Sequence, residues 1–136
     1  MKFLQKISPE SVLRIFFAWM YLYSGVDIIQ NPKSWTWAVP TWFNNFITQF
    51  MPIETYMRIQ GVGEIIFALA FLAWFLKPVF LKYITLLASL EMAGILFLGK
   101  TRIDSITFRD LGLLGGLVAL MIIFHGKRSA PDTLMR

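Results

Sequence analysis

Four long apolar runs constrain the fold of this chain more than any other feature. They cover about residues 12–29, 56–76, 79–99 and 106–124. A helix of about 19 residues is ~28 Å long, which is enough to cross the hydrocarbon core of a bilayer. The chain has 136 residues and is 57% hydrophobic, whereas soluble domains are about 45–50% apolar. We therefore predict an all-α integral membrane four-helix bundle.

The first connection between these runs, residues 30–55, is long and rich in tryptophan and proline. Apolar side chains recur at three- and four-residue spacing from Trp42 to Met51, and polar side chains fill the other face. This spacing predicts a short amphipathic helix that lies in the membrane interface, within the first outer connection.

The other boundaries follow from short polar segments. Lys77 and Pro78 leave almost no linker, so the second and third runs are expected to form a tight antiparallel hairpin. The first run has no A-x-A cleavage pattern, which favours a retained helix over a signal peptide. We assign residues 1–128 to a single transmembrane domain and residues 129–136 to a flexible cytoplasmic tail.

The net charge of +5 comes from basic residues in short connections and tails, as expected for a membrane protein rather than a nucleic-acid-binding protein. The connections and tails divide between the two sides of the membrane, and the side with more lysines and arginines is expected to be cytoplasmic. That side holds both termini and the hairpin tip. One side holds Lys2, Lys6, Arg14, Lys77, Lys82, Lys127, Arg128 and Arg136, and the other holds Lys33, Arg58, Lys100, Arg102 and Arg109.

Several charged residues lie within or beside the apolar runs, in what this topology makes the outer half of the bilayer. Glu64, Glu91 and Arg109 share helical faces with glycine or alanine, which mark close-packed sides of membrane helices. Asp27 lies at the outward end of the first run. We expect Arg109 to pair with one or both glutamates. The cluster is either an ion-pair network that sets helix register or a ligand-binding pocket. Asp110 lies on a leucine-rich face and is interpreted as a first-turn acid favoured by the helix dipole.

The scarcity of cysteine and histidine excludes several kinds of redox centre and metal site. The chain has no cysteine, and its single histidine is His125. Disulfides, thiol chemistry, cysteine-ligated clusters, a bis-histidine haem and a four-ligand zinc site are therefore not expected. No metal site, cofactor ligand set or catalytic constellation is predicted. Four aromatic residues could line an apolar pocket for a quinone-like ring or serve as packing and interfacial anchors: Trp19, Tyr21, Tyr23 and Trp74.

Three segments carry a resemblance to a known family. Arg14–Pro32 opens with an arginine, runs to Gly25 and ends in Asn-Pro, as does the first span of DoxX-like membrane proteins. The Phe108–Gly115 segment, Phe-Arg-Asp-Leu-Gly-Leu-Leu-Gly, is similar to the last span of that family. Gly61-x-Gly63-Glu64 resembles its second span.

The resemblance implies a four-helix membrane bundle in the plasma (inner) membrane of a prokaryote. Some members are subunits of thiosulfate:quinone oxidoreductases, so the chain is expected to be an accessory or quinone/lipid-binding subunit of a membrane redox system. The expected partners of the chain are the lipid bilayer, a redox partner subunit and further copies of itself. A quinone is the implied ligand. Two alternatives stay open: a small proton-coupled transporter or channel that uses Glu64 and Glu91, and a structural anchoring subunit.

Overall fold

The computed structural model describes the backbone of residues 8–99 and 105–129 and the side chains of residues 8–97 and 110–126. These ranges are mostly helical and contain no strand, which confirms the all-α prediction. The elements are α1 (Pro9–Gln30), a 3₁₀ helix (Pro32–Ala38), α2 (Thr41–Ile47), α3 (Ile53–Leu72), α4 (Pro78–Gly94), a π-helical turn (Ile95–Gly99) and α5 (Ser105–Ser129).

Three segments within the described residues are long and apolar enough to cross a membrane: α1, α3 and the stretch from Pro78 to Phe97. A shorter apolar segment, Asp110–Gly126, lies within α5. Large apolar side chains cover the outside of these helices, and Phe75, for example, is 87% exposed. An apolar exterior of this extent needs lipid around it, so the fold indicates a membrane-embedded protein.

The helix starts follow local sequence signals. Pro9 and Pro78 each occupy the first turn of their helix, where the missing N–H of proline costs no hydrogen bond. Ser8 takes the N-cap position of α1, although its hydroxyl makes no capping hydrogen bond. The end of α3 was harder to predict: the apolar run continues to 76, whereas the helix ends at Leu72.

The helices associate as two antiparallel pairs. The α1 helix packs along α3, and α4 packs along α5, whereas α3 and α4 touch little. The predicted tight hairpin would pack the second and third runs along each other. That prediction is wrong, because α3 and α4 make few contacts. The connection is short, residues 73–77, but α3 is held against α1, where Gly25 and Gly61 let the two backbones meet.

The two pairs share one apolar core, which contains aromatic side chains from α1, α3 and α5. Leucines of α4 and α5 and small residues of α3 and α4 fill the space between them. The largest fully buried side chains are Tyr21, Ile28, Phe71, Leu81, Thr85, Leu117, Leu120 and Phe124.

The tryptophan-rich connection lies over the end of the bundle where α1 ends and α3 begins. Its 3₁₀ helix contacts both α3 and the π-helical turn. In α2, the ring of Phe43 packs edge-on against Tyr56 of α3, with the ring centroids 5.4 Å apart. The short helix predicted from Trp42 to Met51 is present as Thr41–Ile47, followed by a turn.

Candidate functional site

A group of polar side chains lies among the apolar helices and is called the carboxylate cluster. Glu64 of α3 is buried, only 6% exposed, and accepts a hydrogen bond from the hydroxyl of Ser24 on α1. Glu91 of α4 accepts a hydrogen bond from the side-chain amide of Gln60 on α3. Hydrogen bonds to these two glutamates thus connect α1 with α3 and α3 with α4.

Tyr21 completes the carboxylate cluster from α1. Its hydroxyl donates to the backbone carbonyl of Ala88 on α4 at 3.3 Å. Tyr21 lies close enough to Glu64 and Glu91 for electrostatic interaction, and the two carboxyl groups also interact with each other. Among the described residues, Oε2 of Glu91 is buried and has no hydrogen-bond partner. The cluster therefore presents one buried acceptor that no described group satisfies.

The side chain of Arg109 lies outside the described residues, so its pairing with Glu64 or Glu91 stays a prediction. The described hydrogen bonds to these two glutamates come from neutral side chains, Ser24 and Gln60. Helix α5 begins at Ser105 and has no acid in its first turn, so the interpretation of Asp110 as a first-turn acid is wrong. Asp110 is only 7% exposed and is packed inside the protein.

Asp27, the fourth predicted site residue, anchors the tryptophan-rich connection. One carboxylate oxygen accepts from the side-chain amide of Asn31 at 2.8 Å, and the other accepts from the indole N–H of Trp35 at 2.7 Å. The backbone N–H of Asn31 also donates to the carbonyl of Asp27 at 2.7 Å. The sequence placed Asp27 at the end of the first run, but nothing in the spacing identified Trp35 as its partner.

A surface groove of about 370 Å³ runs along one face of α1 and is called the α1 groove. Trp19 and Tyr23 are 72% and 71% exposed there, so their rings stand out from the helix. Of the four aromatic residues proposed for a quinone pocket, these two line the groove, whereas Tyr21 lies in the core. The described lining residues are Trp19, Leu22, Tyr23, Val26, Asp27 and Gln30.

Arg14 is a buried cation, although its sequence position suggested only a membrane-flanking charge and the first residue of the DoxX-like segment. It is 2% exposed. Its Nε donates to the carbonyl of Phe71 at 2.8 Å and its Nη2 to that of Ala73 at 2.9 Å. Glu10 pairs with Nη1 at 3.3 Å, and the guanidinium carbon lies 4.2 Å from the ring centroid of Trp74. Arg14 thus binds carbonyls at the end of α3. The i, i+4 spacing of Glu10 and Arg14 is a sequence signal for their ion pair, but not for these carbonyl contacts.

Two places in the bundle therefore have the chemistry of a binding site: one buried between the helices and one on its surface. The carboxylate cluster has acceptors and hydroxyl groups between helices, which suits hydrogen bonding and proton exchange. The α1 groove has an apolar floor with an acid and an amide at one end. Within the part of the chain that the structure describes, no group of three or more His, Cys, Asp or Glu residues could hold a metal ion.

Comparisons of the chain with protein-family models, with curated proteins and with solved structures give no match.

Proposed function

We propose that this chain is a DoxX-like integral membrane protein that binds a quinone or a lipid as an accessory subunit of a membrane redox system. In this proposal α5 is the fourth span of the bundle, and α2 lies in the membrane interface. Both termini face the cytoplasm of a prokaryote. The apolar segment Asp110–Gly126 within the 25-residue helix α5 supports a fourth span.

The observation that carries this proposal is the α1 groove. A quinone combines an apolar tail with a ring that carries two carbonyl acceptors. Trp19 and Tyr23 offer aromatic faces for such a ring, and the amide of Gln30 offers a hydrogen-bond donor. Leu22 and Val26 form the apolar part of the same groove. Binding without covalent chemistry is the role that this set of side chains fits.

Filling the groove tests the proposal. Val26→Trp places a large ring in the groove, and Tyr23→Ala removes one of its aromatic walls. We expect quinone or lipid retained by the purified protein, measured by mass spectrometry of an organic extract, to fall several-fold in both variants. Tyr83→Ala is the matched control, because Tyr83 is an exposed tyrosine of α4 outside the groove. Wild-type protein that retains neither ligand would contradict the proposal.

The carboxylate cluster favours a second candidate, a proton-coupled transporter or channel that uses Glu64 and Glu91. Two carboxyl groups and a phenol held between three helices have the composition of a proton path. Proton flux into liposomes, driven by a membrane potential, should then be lost in Glu64→Gln. It should be kept in the control Glu54→Gln, because Glu54 lies in the first turn of α3 and is not part of the carboxylate cluster. Wild-type liposomes without flux would exclude this candidate.

A further inference from the structure

A second cavity, of about 610 Å³, lies where α1 ends and α3 begins, and is called the charged cleft. It shares Gln30 with the α1 groove, so the two depressions adjoin. Its lining is mostly polar, unlike that of the groove. The described lining residues are Gln30, Asn31, Pro32, Lys33, Ser34, Glu54 and Arg58.

Three charged side chains line the charged cleft. Lys33 and Arg58 are exposed, and Glu54 is half-buried. Glu54 and Arg58 are one turn apart on α3, a spacing at which opposite charges often pair. The ion pair that the structure shows among described residues is Glu10 with Arg14, so these three groups remain available to a ligand. The cleft thus offers two cations and one carboxylate.

The position of the cleft matches the headgroup level of a bilayer. It lies at the ends of α1 and α3, both long enough to span the hydrocarbon core. From Gln30 the α1 groove continues to Trp19, about 16 Å along the helix axis at 1.5 Å per residue. That length is close to half of a hydrocarbon core of about 30 Å, the depth reached by the acyl chains of one leaflet.

We propose that the charged cleft binds the headgroup of an aminophospholipid, of the phosphatidylethanolamine type, whose acyl chain lies in the α1 groove. This inference rests on the proposed binding of a lipid in that groove. The phosphate lies between Lys33 and Arg58, and the primary ammonium donates to Glu54. All three charges of the cleft are then paired in charge-assisted hydrogen bonds.

The arrangement discriminates between headgroups. Phosphatidylglycerol has the phosphate but no ammonium, so Glu54 would keep an unpaired charge beside an anionic lipid. Phosphatidylcholine has a quaternary ammonium without an N–H, so it cannot donate a hydrogen bond to Glu54. A phospholipid with a primary amine is the occupant that satisfies both signs of charge.

Native mass spectrometry of the full-length protein in detergent tests the assignment by measuring the affinity for each lipid. The lipids compared are phosphatidylethanolamine, phosphatidylglycerol and phosphatidylcholine with identical acyl chains. We expect wild-type protein to bind phosphatidylethanolamine about tenfold more tightly than phosphatidylcholine, the factor typical of one hydrogen bond to a charged group. Glu54→Gln should remove this preference. Lys33→Gln with Arg58→Gln should weaken binding of all three lipids, because the phosphate loses its partners.

Lys77→Gln combined with Lys82→Gln is the matched control. It also removes two positive charges, but at the other end of the bundle. We expect it to leave the headgroup preference unchanged, and circular dichroism should show unchanged helix content in every variant. Tighter binding of phosphatidylglycerol by the wild type, or an unchanged preference in Glu54→Gln, would overturn the inference. So would displacement of the lipid by soluble phosphoethanolamine at equal concentration, because the cleft would then bind a soluble phosphate.

Quinone measured in the same preparations separates this inference from the proposed function. One outcome is that the wild type retains quinone, Val26→Trp loses it, and phospholipid binding shows no headgroup preference. That outcome would leave the proposed function intact and overturn the lipid assignment. Protein that retains neither quinone nor phospholipid would contradict both.

Discussion

Arg14 shows how one long side chain can stabilise a helix end that lies far from it in the sequence. A helix leaves its last carbonyls without intrahelical partners, and in an apolar environment each unsatisfied carbonyl costs free energy. The guanidinium of Arg14 donates to two carbonyls, those of Phe71 and Ala73, from the opposite helix. Its planar fork reaches both at once, while the ring of Trp74 covers the guanidinium.

This geometry predicts that Arg14→Lys destabilises the protein although it conserves charge. A lysine ammonium is a single compact donor group and does not reproduce the fork, so at least one carbonyl loses its partner. We expect a loss of about 1–3 kcal/mol, the typical cost of one unsatisfied buried group, seen as a lower melting temperature in detergent. Arg58→Lys is the control, since Arg58 is exposed. Equal melting temperatures for the two variants would contradict the role assigned to Arg14.

At the scale of the elements, the contact between α1 and α3 depends on two glycines. A Cβ atom added to Gly61 would lie 2.7 Å from the carbonyl oxygen of Gly25, and one added to Gly25 would lie 2.7 Å from that of Gly61. Such distances require a backbone shift, because the neighbouring atom is not at the end of a flexible side chain. Gly63, two residues further along α3, has open space at its Cβ position.

We therefore expect opposite effects from two neighbouring alanine substitutions. Gly61→Ala should destabilise the protein by about 1–3 kcal/mol, the usual cost of overpacking, because α1 and α3 must move apart. Gly63→Ala should be neutral or stabilising by up to about 1 kcal/mol, since alanine has the higher helix propensity. Thermal unfolding of both variants in the same detergent measures the difference. A melting temperature for Gly61→Ala at or above that of Gly63→Ala would show that the helices do not meet there.

The whole molecule is two helix pairs around one core, with its tryptophan-rich connection over one end. The proposed orientation puts that end outside the cell and the start of α1 and the end of α5 inside it. The physical basis is the excess of lysine and arginine on the side of the termini, because positively charged flanks are retained in the cytoplasm.

Cysteine labelling tests this orientation without background, since the chain has no cysteine of its own. Ser34→Cys lies in the tryptophan-rich connection and should react with a membrane-impermeant reagent added to intact cells. Lys127→Cys should react only after the membrane is permeabilised. Labelling of Lys127→Cys in intact cells would overturn the orientation, and labelling of both positions would contradict an even number of spans.

The sequence alone determined that the chain is helical, and it placed most helix starts and ends to within a few residues. These properties depend on local information: the length of each apolar run and the prolines that open α1 and α4. It also marked Glu64 and Glu91 as unusual, because a carboxyl group within an apolar run needs a partner.

Only the tertiary structure decided which helices pair and which side chains meet. In a membrane helix, apolar residues occupy nearly every face, so hydrophobicity does not show which side is packed against protein. The sequence therefore could not distinguish the contact of Gly61 from the open space at Gly63, nor assign Ser24 and Gln60 to the two glutamates. The role of Arg14 was hidden for a related reason: its acceptors are backbone carbonyls of α3, and backbone carbonyls carry no mark in the sequence.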